Sequence, residues 1–124
     1  MLVPAALENQ INAEVAEQLR CRYIVEGANG PTTVEADAIL EQRGITLIPD
    51  IFANSGGVIV SYFEWVQNIQ ELTWERSQVN EMLEKLMTAS FGELLEERKK
   101  TACSYRMAAY IVALRRLLYA EDIK

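Results

Sequence analysis

Arg22-Tyr23-Ile24-Val25-Glu26-Gly27-Ala28-Asn29-Gly30-Pro31 is the stretch that decides the fold. Its first five residues are rich in β-branched and aromatic side chains, and its last five are small or turn-forming. That composition reads as a buried strand leaving into a loop. Ile45-Thr46-Leu47-Ile48-Pro49-Asp50 has the same character, and a proline stops it. Leu2-Val3-Pro4 reads as the tail of a third strand.

Helices are expected between these runs. Asn12 is a candidate cap, with Glu14 and Glu17 near the positive end of the dipole and Val15, Ala16 and Leu19 on the apolar side. Thr32-Thr33-Val34-Glu35 fits a capping box, and Gly44 closes that helix after Arg43, with Ala36, Ile39 and Leu40 facing inward. Strand, helix, strand, helix, strand with short links predicts a parallel, right-handed βαβ sheet.

From Ser55 onward the pattern is helical. Ile59, Tyr62, Phe63 and Val66 recur at helical spacing, as do Val79, Leu83, Leu86, Met87, Leu94 and Leu95, then Met107, Ile111, Leu114 and Leu118. Breaks are expected near Thr73 and from Thr101 to Ser104. The charge run Glu96-Glu97-Arg98-Lys99-Lys100 reads as a solvated helix end. Trp65 and Trp74 read as packing anchors.

Composition narrows the chemistry. The chain has 124 residues, 50% of them apolar, which suits one modest packed domain. Lys and Arg number 12 against 18 Asp and Glu, a net charge of −6. That balance, with no basic block, argues against nucleic acid or an anionic membrane as partner. There is no histidine, which removes the commonest general base and excludes Ser-His or Cys-His nucleophiles within the chain. Cys21 and Cys103 form no C-x-x-C pair, so no metal site is expected, and reduced thiols suit a cytoplasmic protein. No signal peptide is read at the start, and no apolar run approaches the ~20 residues needed to span a bilayer.

The ends of the strands are where a parallel sheet takes its ligands. Here they are Pro4-Ala5-Ala6-Leu7-Glu8-Asn9, Glu26-Gly27-Ala28-Asn29-Gly30-Pro31 and Pro49-Asp50-Ile51-Phe52-Ala53-Asn54-Ser55-Gly56-Gly57. Each joins small residues, which admit a ligand to the backbone, with a neutral amide that suits a carboxamide or a ribose hydroxyl. Gly56 and Gly57 lie at an expected helix N-terminus, and Asn54, Val58 and Ser61 share one side of its first turns. Ordinary turn chemistry is the competing reading, with Asn29 and Asn54 as capping residues and Ser61 bonded back to its own helix. Glu26 and Glu64 show no acid/base partner, and Glu26 reads equally as a cap or salt-bridge residue.

These three loops, in this order and followed by Ser61-Tyr62-Phe63-Glu64-Trp65-Val66-Gln67-Asn68, closely resemble the C-terminal part of glutamate dehydrogenase, in the family that includes leucine, phenylalanine and valine dehydrogenases. The resemblance extends over essentially the whole chain. It implies a partial Rossmann-like α/β fold, a three-stranded parallel sheet with flanking helices followed by a helical C-terminal half. Residues 1–70 would be half of a dinucleotide-binding domain, and residues 71–124 a helical segment packing on it and, in a full enzyme, on a substrate domain. The implied reaction is NAD- or NADP-dependent oxidative deamination of L-glutamate to 2-oxoglutarate and ammonia.

By motif match, Ala5 and Ala6 resemble the wall of the cofactor groove, Asn29 a residue near its ribose and Asn54 one at the nicotinamide, beside Gly56 and Gly57. Val58 and Ser61 resemble the lining of the substrate pocket. The family's catalytic lysines and aspartate and its glycine-rich fingerprint have no counterpart here, so no catalytic residue is assigned. The chain is expected to be a fragment that is inactive alone. A homo-oligomer is expected from its open sheet edge and uncovered apolar stripes. A non-catalytic binding or interaction module that keeps the half-fold stands as the alternative.

Overall fold

The computed structural model describes residues 1–122. Helix α1 (Ala13–Gln18) starts where the Asn12 side chain accepts the Val15 N–H at 3.0 Å. Helix α2 (Val34–Gln42) is capped by Thr33, whose hydroxyl accepts the Ala36 N–H at 3.3 Å, and not by the expected box at Thr32. Thr32 is drawn into a parallel bridge with Ile11, which keeps the chain extended for one residue more. Gly44, at φ +69°, then ends α2 in the left-handed region that glycine enters without strain. Arg43 donates to the carbonyls of Ala16 and Leu19, so the end of α2 also finishes α1.

Strands β1 (Tyr23–Val25) and β2 (Thr46–Ile48) pair in parallel, with Ile24 opposite Leu47. The expected third strand is reduced to one parallel bridge. Leu2 donates to the Tyr23 carbonyl at 2.9 Å and accepts from Val25 at 3.0 Å. Pro4 has no N–H to extend that ladder. The sheet is therefore two-stranded, and the chain is α/β. Its core, Ile11, Ala16, Ile24, Ala36, Leu40, Ile45 and Leu47, lies between the strands, α1 and α2. Val15, expected on the apolar side of α1, is exposed.

After Pro49 the chain turns through a short helix, α3 (Asp50–Ala53), directly into α4 (Ser55–Gln70). Helix α5 (Arg76–Thr101) and helix α6 (Tyr105–Asp122) follow, with breaks where the sequence places them. Ile123 and Lys124, the end of the expected helical segment, lie outside the described residues. Leu94, Ala108 and Ala109 form a second, smaller core with Phe52, Phe91, Cys103 and Tyr105 packed against it.

The inward face of α6 thus carries alanines, and Met107, Leu114 and Leu118 of the expected stripe are exposed. Tyr62 and Trp65 of α4 are exposed too, their rings tilted against each other with centroids 5.8 Å apart. Trp74 does anchor the α4–α5 turn, edge-on to Phe63 at 5.9 Å. Glu97, expected on a solvated helix end, is 6% exposed and paired with Arg115 at 2.7 Å. No helix among the described residues is long and apolar enough to cross a membrane.

Candidate functional site at the carboxyl edge of the sheet

The three strand-end loops meet on one rim and are tied together by backbone bonds. The Pro4 carbonyl accepts the N–H groups of both Gly27 and Ala28 at 2.9 Å. A Cβ on Gly27 would lie 3.2 Å from the Ala5 Cβ, tighter than most such contacts, so a side chain there would push the two loops apart by a few tenths of an ångström. Asn9, at φ 56°, donates to the Gly30 carbonyl at 2.8 Å. The Gly30 N–H in turn donates to Asp50 Oδ2 at 2.7 Å, which ties the loop after β1 to the turn after β2.

Across this frame Asn29 and Asn54 meet directly. Asn54 Nδ2 donates to Asn29 Oδ1 at 2.6 Å and to the Gly27 carbonyl at 3.4 Å. Neither amide caps a helix through its side chain, although Asn54 is the residue before α4. Among the described residues, Asn54 Oδ1 and Asn29 Nδ2 have no hydrogen-bond partner. The pair therefore presents one open acceptor and one open donor side by side.

Gly57 follows in the first turn of α4 with open space where a Cβ would stand, while Gly56 is backed by Leu83. The Gly57 N–H is not free as expected. It bonds to the Asn54 carbonyl at 3.3 Å, because α3 runs into α4 without a gap. Val58 is 68% exposed on the outer side of α4. The Ser61 hydroxyl donates back to the Gly57 carbonyl at 3.1 Å, the turn-chemistry alternative for that residue. Ala5 and Ala6 are exposed along the edge of the rim. The rim thus joins Ala5, Asn29 and Asn54 as the sequence implies, and Val58 and Ser61 lie beyond it on α4.

Beneath the rim is a cluster of which the sequence reading saw only Glu26, as a cap or salt-bridge residue, and both of those roles are present. The Arg106 guanidinium, from α6, grips Glu26 through both terminal nitrogens, at 2.7 and 3.0 Å. Its Nε donates to Asp37 Oδ2 at 2.6 Å, and Asp50 Oδ1 stands 3.5 Å from Nη1. The Glu26 side chain is 0% exposed and also accepts the Asp50 N–H at 2.8 Å, so it caps α3 and bonds an ion at once. Burial alone would depress the Arg106 pKa, but hydrogen bonds and charge from Glu26 and Asp37 outweigh it and raise it above the ordinary arginine value. The signal in the sequence was an arginine in line with Ala109 and Ala113, on the alanine face of α6. Among the described residues, no group of three or more His, Cys, Asp or Glu is placed to hold a metal.

Two parallel strands joined by a crossover helix, with three loops gathered at their carboxyl ends, define an α/β protein, and open parallel sheets in general take their ligands at that edge. The chain belongs to the Glutamate/Leucine/Phenylalanine/Valine dehydrogenase family, whose profile matches residues 1–124. It is 50% identical over 124 residues to the NADP-specific glutamate dehydrogenase of Synechocystis and 49% identical over 124 residues to the cryptic catabolic NAD-specific glutamate dehydrogenase of Bacillus subtilis. In each case all of this chain is covered and 29% of the relative. The crystal structure of glutamate dehydrogenase from Peptoniphilus asaccharolyticus superimposes with a TM-score of 0.91 at 41% identity, covering 98% of this chain and 31% of that one. The chain therefore spans under a third of the length of the relatives it matches.

Proposed function

We propose that this chain supplies the nicotinamide-end wall of an NAD- or NADP-dependent glutamate dehydrogenase, acting on L-glutamate and 2-oxoglutarate only within a longer, homo-oligomeric, cytoplasmic enzyme. The observation that carries the reading is the Asn54–Asn29 amide pair, with its open acceptor and donor on the sheet edge. A primary carboxamide or a pair of ribose hydroxyls is the complement of that pair. The bound dinucleotide supplies the hydride acceptor. Asn54 and Asn29 orient its nicotinamide ribose end, Ala5, Ala6, Gly56 and Gly57 keep the wall low enough for close approach, and Val58 and Ser61 line the substrate side.

The charge beneath the rim limits what this wall holds. Three carboxylates, Glu26, Asp37 and Asp50, face one guanidinium, so the local field is negative and disfavours a pyrophosphate. The diphosphate is left to a segment outside this chain. No general acid or base is assigned here, so turnover also requires that segment. In this reading residues 1–70 are half of the dinucleotide domain. Residues 71–124 pack on it and reach the substrate domain with the exposed face of α6.

The test is a titration of the 124-residue chain with NAD, followed by ¹⁵N correlation spectra. Shifts concentrated at the Asn29 and Asn54 side-chain amides and at Gly56 and Gly57 are expected, with no turnover of glutamate. Shifts elsewhere only, or none at millimolar NAD, would count against the reading, and turnover by the chain alone would refute its dependence on a longer enzyme.

A further inference from the structure

We propose that Arg106 is a positioning residue for the amide rim. Through Glu26 and Asp50 it sets the spacing between the loop after β1 and the turn after β2, and so the separation of Asn29 from Asn54. The connection is continuous. Arg106 holds Glu26 at the end of β1 by a two-pronged fork, and Glu26 Oε2 accepts the Asp50 N–H at 2.8 Å. Asp50 Oδ2 accepts the Gly30 N–H at 2.7 Å, next to Asn29. Asp50 also opens α3, whose end is Asn54. One planar cation therefore fixes both loops from below, and a displaced fork moves both sides of the Asn54–Asn29 contact.

Arg106 is also the polar tie between α6 and this rim, 80 residues away in sequence from Glu26. Asp37 on α2 aims the guanidinium by taking its Nε, so the fork cannot rotate freely about Glu26. Helix α6 thus touches the rim through this forked arginine as well as through Phe52, which packs against the core that holds Ala108 and Ala109, so the rim geometry depends on where α6 lies. That the positioned amides meet a cofactor rests on the function proposed above, whereas the link from Arg106 to the amides is read from the geometry alone.

The experiment uses the 124-residue chain without ligand. Arg106→Lys keeps the charge and removes the fork. The Gly30 amide proton, moved downfield by its short bond to a carboxylate, is expected to shift upfield. The Asn29 and Asn54 side-chain amides are expected to shift with it, while the Ile24 and Leu40 amides of the core stay in place. Arg115→Lys, which alters the pairing of α6 with the buried Glu97, is the control and is expected to leave all three rim signals unmoved. A folded Arg106→Lys chain whose Gly30, Asn29 and Asn54 signals match the parent would overturn the proposal and leave Arg106 as an anchor for α6 alone. Should Arg106→Lys not fold, Asp37→Asn weakens the grip on Nε at a half-buried site, and smaller shifts of the same three signals are expected; their absence would overturn it equally. Titration with NAD separates the two proposals, because failure of NAD to bind the parent chain leaves the ligand-free shifts to decide the role of Arg106.

Discussion

The layer of strands and helices up to Pro49 and the helical half from Ser55 differ in how much of their apolar patterning they cover. In the first, Ile11, Ile24, Leu40 and Leu47 close on one another around a two-stranded sheet. In the second, Val58, Tyr62, Trp65 and Ile69 run down one side of α4 at spacings of four, three and four residues, all exposed. Helix α6 repeats this with Met107, Leu114 and Leu118. Helical periodicity identifies a face that is apolar, and the two halves show that such a face is not thereby covered. Stripes of this length are uncommon on a free surface. They fit the proposal that this chain works inside a longer enzyme, of which its relatives show more than two thirds beyond the matched part.

The strongest way to break this contrast is a matched pair of leucine truncations. Leu40 is 1% exposed and Leu114 is 57% exposed. Leu40→Ala is expected to cost about 2–5 kcal/mol, from lost transfer energy and the cavity left behind. Leu114→Ala is expected to stay within about 0.5 kcal/mol, as surface changes do. Urea unfolding of the two variants measures both. Equal costs would mean that the α6 stripe is covered in solution, for instance by a second copy, and a cost for Leu114→Ala that grows with protein concentration would identify that copy as the cover.

A finer comparison lies in how helices end. Helix α2 stops on Gly44 at φ +69°, whereas α5 stops on Ala102 at φ 52°, the same left-handed region without glycine's freedom. Gly44→Ala is expected to cost about 1–2 kcal/mol and Ala102→Gly to gain about 1 kcal/mol. Thermal melts check the sign of each. Two changes of the same sign would show that the α5–α6 turn, where Thr101 Oγ1 and Cys103 Sγ lie 3.0 Å apart, is stabilised by more than its backbone angles.

The sequence showed those parts of the molecule whose causes are local. Strands, the Asn12 cap and the breaks follow from β-branched runs, Asn12 and the turn residues, all acting within four positions of themselves, while the cap of α2 was read one residue early, at Thr32 instead of Thr33. The shared rim was legible because parallel strands bring their carboxyl ends to one edge whatever the details. The third strand failed for a local reason that was present in the sequence, the absent N–H of Pro4. Glu26 was legible as a cap or salt-bridge residue, but its partners were not, because the cluster joins positions 26, 37, 50 and 106 and no short-range pattern pairs a carboxylate with one of the chain's several arginines. Glu97 was misread for the same reason, since its partner stands on the next helix and its neighbours in sequence are all charged.

That pair gives the smallest effect and the sharpest sign. The hydrogen bond from Arg115 is the main influence on Glu97; it and the arginine's charge outweigh the opposing burial and hold the Glu97 pKa below its ordinary 4.5. The same bond raises Arg115, which stays charged at any ordinary pH. A carboxylate whose folded-state pKa is depressed stabilises the fold fully above its unfolded value, and that contribution is lost as pH falls through the folded value. Melting temperature is therefore expected to drop more steeply below pH 4.5 in the parent than in Glu97→Gln, with the variant lower at pH 7 and the two curves converging in acid. The Lys99–Glu96 pair beside it is open to solvent at both ends, so Glu96→Gln is expected to leave the curve unchanged. Parallel curves for parent and Glu97→Gln would mean that Arg115 swings free in solution, and that the junction of α5 and α6 depends on its few buried side chains alone.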